Sequence, residues 1–422
     1  MMGLNRHHFF WLSLLGITLM LSSFSFQLYK AFDARWIIRF PKKYELPTEK
    51  WISVFLDWLV DNANFYFFTF RDITRAIASL IEWPYQFLRN LLIEGFQSGL
   101  GDQAVQYAPS LSWVAVITVV VAISYYASDW RLGALTGACF AYLAVFGQWQ
   151  SAMVTLASVL IAVPIGALGG LLLGIIAYKS RIVENCLRPI LDLMQTVPVF
   201  AYLVPVLILF GFGPVAALVA TVIYAMPPMV RVTIVALKTV PEEIKEAGKM
   251  VGCTDRQMMW KVLVPSASSS LMIGVNQVIM LTLNMVIIAS MIGAGGLGFD
   301  VLASLRRLDI GGGIEAGLAI VVMAIALDRI SQAFSVRTMK VPYNGNYIQR
   351  HPWITTSFVV IVGTLILGIF IPSIQAYPKE FTITTGSFWS DAMEYINVNF
   401  FDAFEAIKVF FLQSLLLPVK KF

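Results

Sequence analysis

The chain has 422 residues, of which 58% are hydrophobic and only 13% are charged. Soluble globular proteins are about 45–50% apolar and about 25% charged, so this composition excludes an ordinary soluble protein. The formal net charge of +5 is informative mainly through its distribution, because Lys and Arg report orientation in a membrane. We therefore predict membrane lipid as a partner and no nucleic acid.

Nine apolar segments are predicted to span the membrane as helices. A bilayer core about 30 Å thick needs about 20 mostly apolar residues per helix. The segments are 9–29, 112–128, 132–148, 150–177, 190–211, 214–234, 269–293, 314–334 and 353–376. The first is interpreted as a retained anchor and not as a signal peptide, because no A-x-A cleavage site follows it.

The basic residues of the short loops predict the orientation of these helices. If the N-terminus is cytoplasmic, nearly all of these Lys and Arg residues lie on the inner side, as the positive-inside rule requires. The exception is the pair Arg306–Arg307. This orientation places residues 30–111 and 377–422 on the outer side.

Residues 30–111 carry aromatic and aliphatic side chains at helical spacing, interrupted by charged residues. This pattern is typical of amphipathic helices that lie in the membrane interface. We interpret the segment as a scaffold that packs against the helix bundle.

The C-terminal tail resembles part of this scaffold. The stretch NANFYFFTFRDITRAIASLIEWPYQF (62–87) aligns with NVNFFDAFEAIKVFFLQSLLLPVKKF (397–422) when small gaps are allowed. We interpret the likeness as the start of a duplicated unit. A chance likeness between two aromatic amphipathic helices is the alternative.

The stretch EAGKMVGCTDRQMMWKVLVP (246–265) is a polar island between long apolar segments. Pro241 favours a helix start, Gly252 a turn, and Thr254 or Asp255 the cap of a second short helix that ends at Pro265. Two short helices on the cytoplasmic face predict a docking surface, in which apolar residues enter a groove of a partner. These residues are Met250, Val251, Met258, Met259 and Trp260. An ordinary solvated loop is the alternative, but it leaves the apolar side chains unexplained.

This island resembles the EAA loop of bacterial ABC importer permeases, whose pattern is E-A-A-x3-G-x9-I-x-L-P. The matching positions are Glu246, Ala247, Gly248, Gly252, Val262, Val264 and Pro265. Gly248 replaces the second Ala, and valines replace Ile and Leu. The resemblance implies that the loop inserts into a cytoplasmic ATPase subunit and transmits its motion. The coupling residues that it implies are Glu246, Ala247, Gly248, Gly252, Met258, Trp260 and Pro265.

Four further stretches (187–213, 220–233, 274–298 and 315–333) are similar to the glycine betaine/proline betaine permeases. The resemblance implies an all-α bundle in the bacterial inner membrane with an ABC importer type I permease core. It also implies three partners: ATP-binding cassette ATPase subunits, an external solute-binding protein and a second permease unit. The implied function is import of glycine betaine, proline betaine or a related quaternary ammonium or trimethylamine osmolyte.

The predicted domain organisation has five parts. They are an anchor (1–29), an external scaffold (30–111), a permease core (112–335) with its coupling loop at 240–266, a linker with an extra span (336–376), and an external tail (377–422).

The chain lacks a G-x-x-x-x-G-K-[ST] phosphate-binding loop and any His/Cys/Asp cluster suited to catalysis or metal binding. We therefore predict a permease subunit that is not itself an enzyme, with neither cofactor nor metal. The alternative is a secondary transporter or channel for small zwitterions. Such proteins often carry charged residues in mid-span, and no convincing example is present here.

Two groups of polar residues within the predicted spans are candidates for the translocation pathway. Asn276, Met280 and Asn284 recur at intervals of four residues, while Gln195 and Thr196 precede Pro198. Amide side chains avoid lipid, so they either line the pathway or bond neighbouring helices, and both alternatives stay open. A further pair, Arg188 and Asp192, is predicted to form an i,i+4 ion pair.

Overall fold

A computed structural model describes residues 10–20, 46–61, 64–65, 68–98, 105–337, 352–370 and 372–416. The helices, in chain order, are α1 (Phe10–Met20), α2 (Thr48–Asp61), α3 (Phe70–Arg89), α4 (Trp113–Ala127), α5 (Trp130–Val145), α6 (Trp149–Lys179), α7 (Arg181–Thr196), α8 (Val199–Phe210), α9 (Pro214–Lys238), α10 (Glu242–Met250), α11 (Asp255–Ser266), α12 (Ser268–Ser290), α13 (Leu297–Arg307), α14 (Ile310–Arg337), α15 (Pro352–Phe370), α16 (Gly386–Asn399) and α17 (Phe401–Phe411). The strands are β1 (Asn64–Phe65), β2 (Phe68–Thr69), β3 (Phe96–Ser98) and β4 (Val105–Ala108).

The chain divides into two compact units. The first comprises 1–59 and 391–422, and the second comprises 60–390. The described part of the first unit contains α1, most of α2, most of α16 and α17, whose side chains are largely exposed. The second unit contains the other helices and all four strands.

The centre of the second unit is formed by α6, α9 and α12. Gly166, Gly170 and Gly174 of α6 form a stripe that allows this close packing. A Cβ atom at Gly170 would lie 2.6 Å from Met229 Cβ, and one at Gly174 would lie 2.5 Å from Thr233 Cβ. This small-residue stripe is therefore a helix-packing surface.

The amphipathic helix α3 packs against α6, α8 and α9. It begins with a capping box between Thr69 and Asp72, and its Ile81 and Tyr85 are buried in the hydrophobic core. The predicted packing of the scaffold against the bundle is thus confirmed for this helix. The sequence did not predict the two antiparallel pairs, β1–β2 and β3–β4, which flank it.

Eight of the nine predicted spans overlap one apolar helix each in the described residues, but these helices differ in length. Judged by length and composition, three of the described helices can cross a membrane, or five if each of two bent pairs counts as one span. The remaining four are shorter: α1, α4, α5 and the described central part of α15. Residues 9 and 21–29 of the first predicted span lie outside the described residues. The nine-span arrangement stays a prediction.

The prediction of one continuous span over 190–211 is wrong. The chain forms two helices there, α7 and α8, which meet at 105°. Val197, the residue before Pro198, has an extended backbone (ψ 131°), a conformation that a following proline favours, and Pro198 caps α8. The predicted span is therefore interrupted before Pro198, and residues 190–196 belong to an amphipathic helix that begins at Arg181.

The two stretches that suggested a duplication differ in structure. Asn64 and Phe65 form β1, whereas the aligned Asn399 ends the helix α16 and the aligned Phe400 caps α17. Pro418, the second aligned proline, lies outside the described residues. The likeness of the tail to the scaffold stays a prediction.

Candidate functional site

The predicted coupling loop consists of α10, a glycine turn and α11. Pro241 precedes α10, and Glu242 and Glu243 lie in its first turn, where acidic side chains favour the helix dipole. Thr254 caps α11 through a capping box with Gln257. The predicted two-helix elbow is confirmed, and of the two predicted caps the structure has Thr254.

The turn between the two helices depends on Gly252. Its φ is +81°, in the left-handed region that favours glycine. Its N–H donates to the Lys249 carbonyl at 2.9 Å, and the N–H of Cys253 donates to the Gly248 carbonyl at 3.1 Å. The elbow therefore has a defined geometry that few other residues at position 252 would allow.

Gly248 explains how the two short helices approach each other. It is buried, and a Cβ atom there would lie 2.7 Å from Met258 Cε and 3.4 Å from Val262 Cγ2. The terminal methyl group of Met258 thus occupies the space that the second Ala of the EAA pattern would need. Glycine in place of this Ala therefore leaves room for the Met258 side chain.

The apolar residues of the loop divide into two sets. Met259 is buried in the core beneath the loop, and Met258 packs against that core. Met250 and Val251 are 88% and 83% exposed, and Trp260 is 46% exposed. The surface available to a partner is therefore Met250, Val251 and Trp260, whereas Met258 and Met259 anchor the loop to the bundle. Glu246, Ala247 and Pro265 are also exposed.

An ion-pair cluster that the sequence did not predict lies next to this loop. The buried carboxylate of Glu184 on α7 accepts from Lys238 Nζ at 2.6 Å and 2.8 Å, and from Arg188 at 2.6 Å. Asp192 pairs with Arg231 of α9. The predicted Arg188–Asp192 pair is wrong, because both residues have partners elsewhere. The only sequence signal was the i,i+4 spacing of Glu184 and Arg188.

These pairs join α7 to α9 in an antiparallel arrangement. Glu184, near the start of α7, meets Lys238 at the end of α9, and Asp192, further along α7, meets the earlier Arg231. The coupling loop begins directly after α9. The cluster therefore fixes the helix from which the loop emerges.

Replacing Glu184 by glutamine is expected to lower the melting temperature at neutral pH, and the loss should disappear in acid. Hydrogen bonds from Lys238 and then Arg188 hold the pKa of Glu184 below its ordinary value of 4.5. A depressed folded-state pKa gives stability that is complete above about pH 4.5 and is lost as the pH falls through the folded-state value. Thermal unfolding of both proteins in detergent, at neutral and at acidic pH, measures this difference.

The matched control is Glu242→Gln. Glu242 pairs with Lys245 at 2.8 Å on the exposed surface of α10, and such pairs contribute little. A loss at Glu242 equal to that at Glu184, or a loss at Glu184 that persists in acid, would contradict the assigned role of the cluster.

The candidate pathway residues of α12 lie on and beside one exposed helix face. The face repeats every three or four residues and comprises Ile273, Gln277, Met280, Asn284 and Ile287. Asn276 lies at its edge, and its Oδ1 is buried with no hydrogen-bond partner among the described residues. The structure thus separates Met280 and Asn284, which face outward, from Asn276, which faces partly inward.

Gln195 and Thr196 lie at the break between α7 and α8. Both are exposed, and the Thr196 hydroxyl donates to the carbonyls of Asp192 and Leu193. The Thr196 hydroxyl is therefore bonded within its own helix, and of these two residues only Gln195 has a side chain without a hydrogen bond among the described residues.

The α12 face and the coupling loop are directly connected. Ala267, the single residue between α11 and α12, is buried, and the two helices meet at 73°. Ala267 alone therefore separates the coupling loop from α12, with no intervening loop.

Comparison with known proteins places this arrangement in a family. The sequence model described as "Binding-protein-dependent transport system inner membrane component" matches residues 166–340, which include α7 to α12 and the coupling loop. The glycine betaine/proline betaine transport system permease protein ProW of Escherichia coli (strain K12) is 38% identical over 288 residues, which cover 68% of this chain and 75% of ProW. This chain belongs to that permease family.

Two further relatives extend the comparison. The glycine betaine transport system permease protein OpuAB of Bacillus subtilis (strain 168) is 36% identical to the permease, over 69% of this chain and 95% of OpuAB. The trimethylamine N-oxide transport system permease protein TmoV of Pelagibacter ubique (strain HTCC1062) is 35% identical over 371 residues. That match covers 83% of this chain and 51% of TmoV, so the chain spans about half the length of this relative.

The family and the helical fold predicted from the sequence are both confirmed. The permease is a multi-pass protein of the inner membrane. The direction of its N-terminus and the roles of the named site residues stay predictions.

Proposed function

We propose that the permease forms the membrane pathway of an ATP-binding cassette importer for small trimethylammonium or trimethylamine osmolytes. The observation that carries this proposal is the direct connection between an exposed coupling loop and an exposed, partly polar helix face. The relatives named above transport glycine betaine, proline betaine or trimethylamine N-oxide, and they support this solute class.

The proposed pathway follows the exposed face of α12. Met280 and Asn284 would line it, because an amide exposed to lipid would be unsatisfied. A second permease unit, either an identical copy or a related one, would cover this face and close the pathway. Glycine betaine has a quaternary ammonium group without an N–H, so it needs few hydrogen-bond acceptors along this route.

The proposed ATPase site is the surface formed by Met250, Val251 and Trp260. Exposed apolar residues beside charged ones are typical of the centre of a protein interface. ATP hydrolysis by the partner would move α10 and α11, and with them α12. An external binding protein would deliver the solute, and the N-terminus would lie in the cytoplasm, where the basic loops also lie.

Uptake into proteoliposomes tests this function. The permease is reconstituted with its co-purified ATPase and the cognate binding protein, and labelled glycine betaine and trimethylamine N-oxide are offered separately. ATP supplied on the side of the membrane where the ATPase lies is expected to drive accumulation of at least one solute. Accumulation that does not require ATP but depends on an imposed ion gradient would contradict the proposal and favour a secondary transporter.

A further inference from the structure

The end of α12 that lies away from the coupling loop enters a glycine-rich turn, 291–296. The Ser290 hydroxyl donates to the Gly295 carbonyl at 2.9 Å and tightens this turn. Leu297, which follows the turn and begins α13, is completely buried. The turn is therefore a fixed connection and not a loose loop.

Thr155 of α6 holds the turn from the opposite side. Its buried hydroxyl oxygen accepts the Leu297 N–H at 2.9 Å and donates to the Ser151 carbonyl at 3.0 Å. These residues are 142 positions apart in sequence. Both hydrogen-bonding functions of one side chain are used, so Thr155 connects the turn to the backbone of α6.

Gly296 is what allows Thr155 to come so close. Its φ is +74°, and a Cβ atom there would lie 2.4 Å from Thr155 Oγ1 and 3.1 Å from the Ser151 carbonyl oxygen. Any side chain would displace the hydroxyl from the Leu297 N–H. The hydrogen bond therefore requires glycine at this position.

A second contact attaches the turn to the start of α9. The N–H of Gly213 donates to the Ile292 carbonyl at 3.0 Å. A Cβ atom at Gly293 would lie 3.2 Å from Gly213 Cα, so the two backbones touch directly. We name Thr155, Gly213 and 292–297 together the glycine clamp.

The packing beside the clamp is incomplete. A cavity of about 20 Å³, enough for about one water molecule, separates α12 from α6 and α9 at this depth. Thr282 of α12 lines it, and its buried hydroxyl has no partner among the described residues. At this end of α12 the clamp therefore supplies directional contacts in addition to the apolar contacts of Met285 and Ala289 with the core.

We propose that the glycine clamp is the pivot about which α12 tilts, and that Thr155 is the positioning residue that fixes it. This inference rests on the proposed function. The coupling helices push one end of α12, and the clamp holds the other end on α6 and α9. A helix that is driven at one end and fixed at the other changes its tilt, whereas a helix free at both ends only shifts.

The test compares Thr155→Val with Thr155→Ser. Valine has the same shape but leaves the buried Leu297 N–H without its acceptor, so uptake per ATP hydrolysed should fall about tenfold. Serine keeps the hydroxyl and should restore uptake to near the wild-type value. The matched control is Thr221→Val, because the Thr221 hydroxyl lines the same cavity but donates only to Ala217 of its own helix.

Two glycines provide a second comparison. Gly296 and Gly211 have nearly the same φ, +74° and +76°, but a Cβ atom at Gly211 would meet nothing within 4 Å. Both alanine variants carry the same backbone strain, and only Gly296→Ala also disturbs Thr155. Only this variant should lower uptake per ATP.

A solute-independent measurement separates this inference from the proposed function. A single cysteine is placed at Gln277 on the α12 face, after serine has replaced the native cysteines Cys139, Cys186 and Cys253. Its labelling rate with a thiol reagent should change on ATP addition in the wild-type complex and in Thr155→Ser, but not in Thr155→Val. If this pattern holds while neither glycine betaine nor trimethylamine N-oxide is taken up, the solute assignment fails and the clamp stands.

Any one of four results would overturn the inference. The first two are an ATP-dependent change in labelling of Thr155→Val equal to that of the wild type, and equal losses of uptake per ATP in Thr155→Val and Thr221→Val. The other two are the absence of an ATP-dependent change in labelling in the wild-type complex, and its absence in Thr155→Ser.

Discussion

Gly252→Pro is expected to abolish ATP-driven uptake while the helix bundle stays folded in the membrane. Proline fixes φ near −65°, whereas Gly252 has a φ of +81°, and proline also removes the N–H that donates to Lys249. The elbow between α10 and α11 cannot form in this variant. Because the elbow lies outside the core of the bundle, insertion and expression should be preserved. Uptake and ATP hydrolysis by the reconstituted complex measure the effect.

The control for this prediction is Gly252→Ala. Alanine keeps the N–H, and its Cβ atom would meet nothing within 4 Å. The left-handed conformation costs alanine about 1–2 kcal/mol. Its uptake should be reduced and not abolished. Normal uptake by Gly252→Pro with normal ATPase binding would refute the assignment of the loop as the docking element.

Asn284→Leu is expected to reduce uptake strongly without loss of stability. The Asn284 side chain is exposed on the α12 face, so leucine adds no unsatisfied group and breaks no contact within the described chain. If the face lines the pathway, leucine removes a polar group from the route of a zwitterion. Uptake kinetics and the melting temperature of the complex are the two measurements.

Asn276→Leu provides the comparison on the same helix. Its Oδ1 is buried and lacks a partner among the described residues, so leucine relieves an unsatisfied polar atom. Stability should be equal or higher, and uptake should change less than in Asn284→Leu. If Asn284→Leu instead prevents assembly of the complex, this amide bonds a neighbouring helix and does not line the pathway.

The features that the sequence predicted well are those encoded locally. Pro241, Gly252 and the cap at Thr254 or Asp255 are local helix start and turn signals within 20 residues, and they located the elbow correctly. The resemblance to the EAA loop used the same short stretch. Local signals of this kind do not depend on how distant helices pack.

The features that the sequence did not reveal depend on distant contacts. Glu184 and Lys238 are 54 positions apart, and no periodicity connects them. Composition also could not distinguish Met259, which is buried, from Met250, which is exposed, since both are methionines in one polar stretch. The break at Pro198 was underestimated because the apolar residues of α7 and α8 merge into one hydrophobic segment.

The glycine stripe on α6 has a consequence for reading mutational tolerance. At Gly170 and Gly174, one added methyl group would meet a neighbouring side chain and come within about 3 Å of a carbonyl oxygen of α9. A saturation screen would therefore score these two positions among the most intolerant in the chain, although neither faces a solute or a partner. In this protein, the positions most intolerant of substitution would include those where two helix backbones touch as well as those that bind a solute or a partner. Assays of assembly would identify the first group, and assays of transport in assembled variants would identify the second.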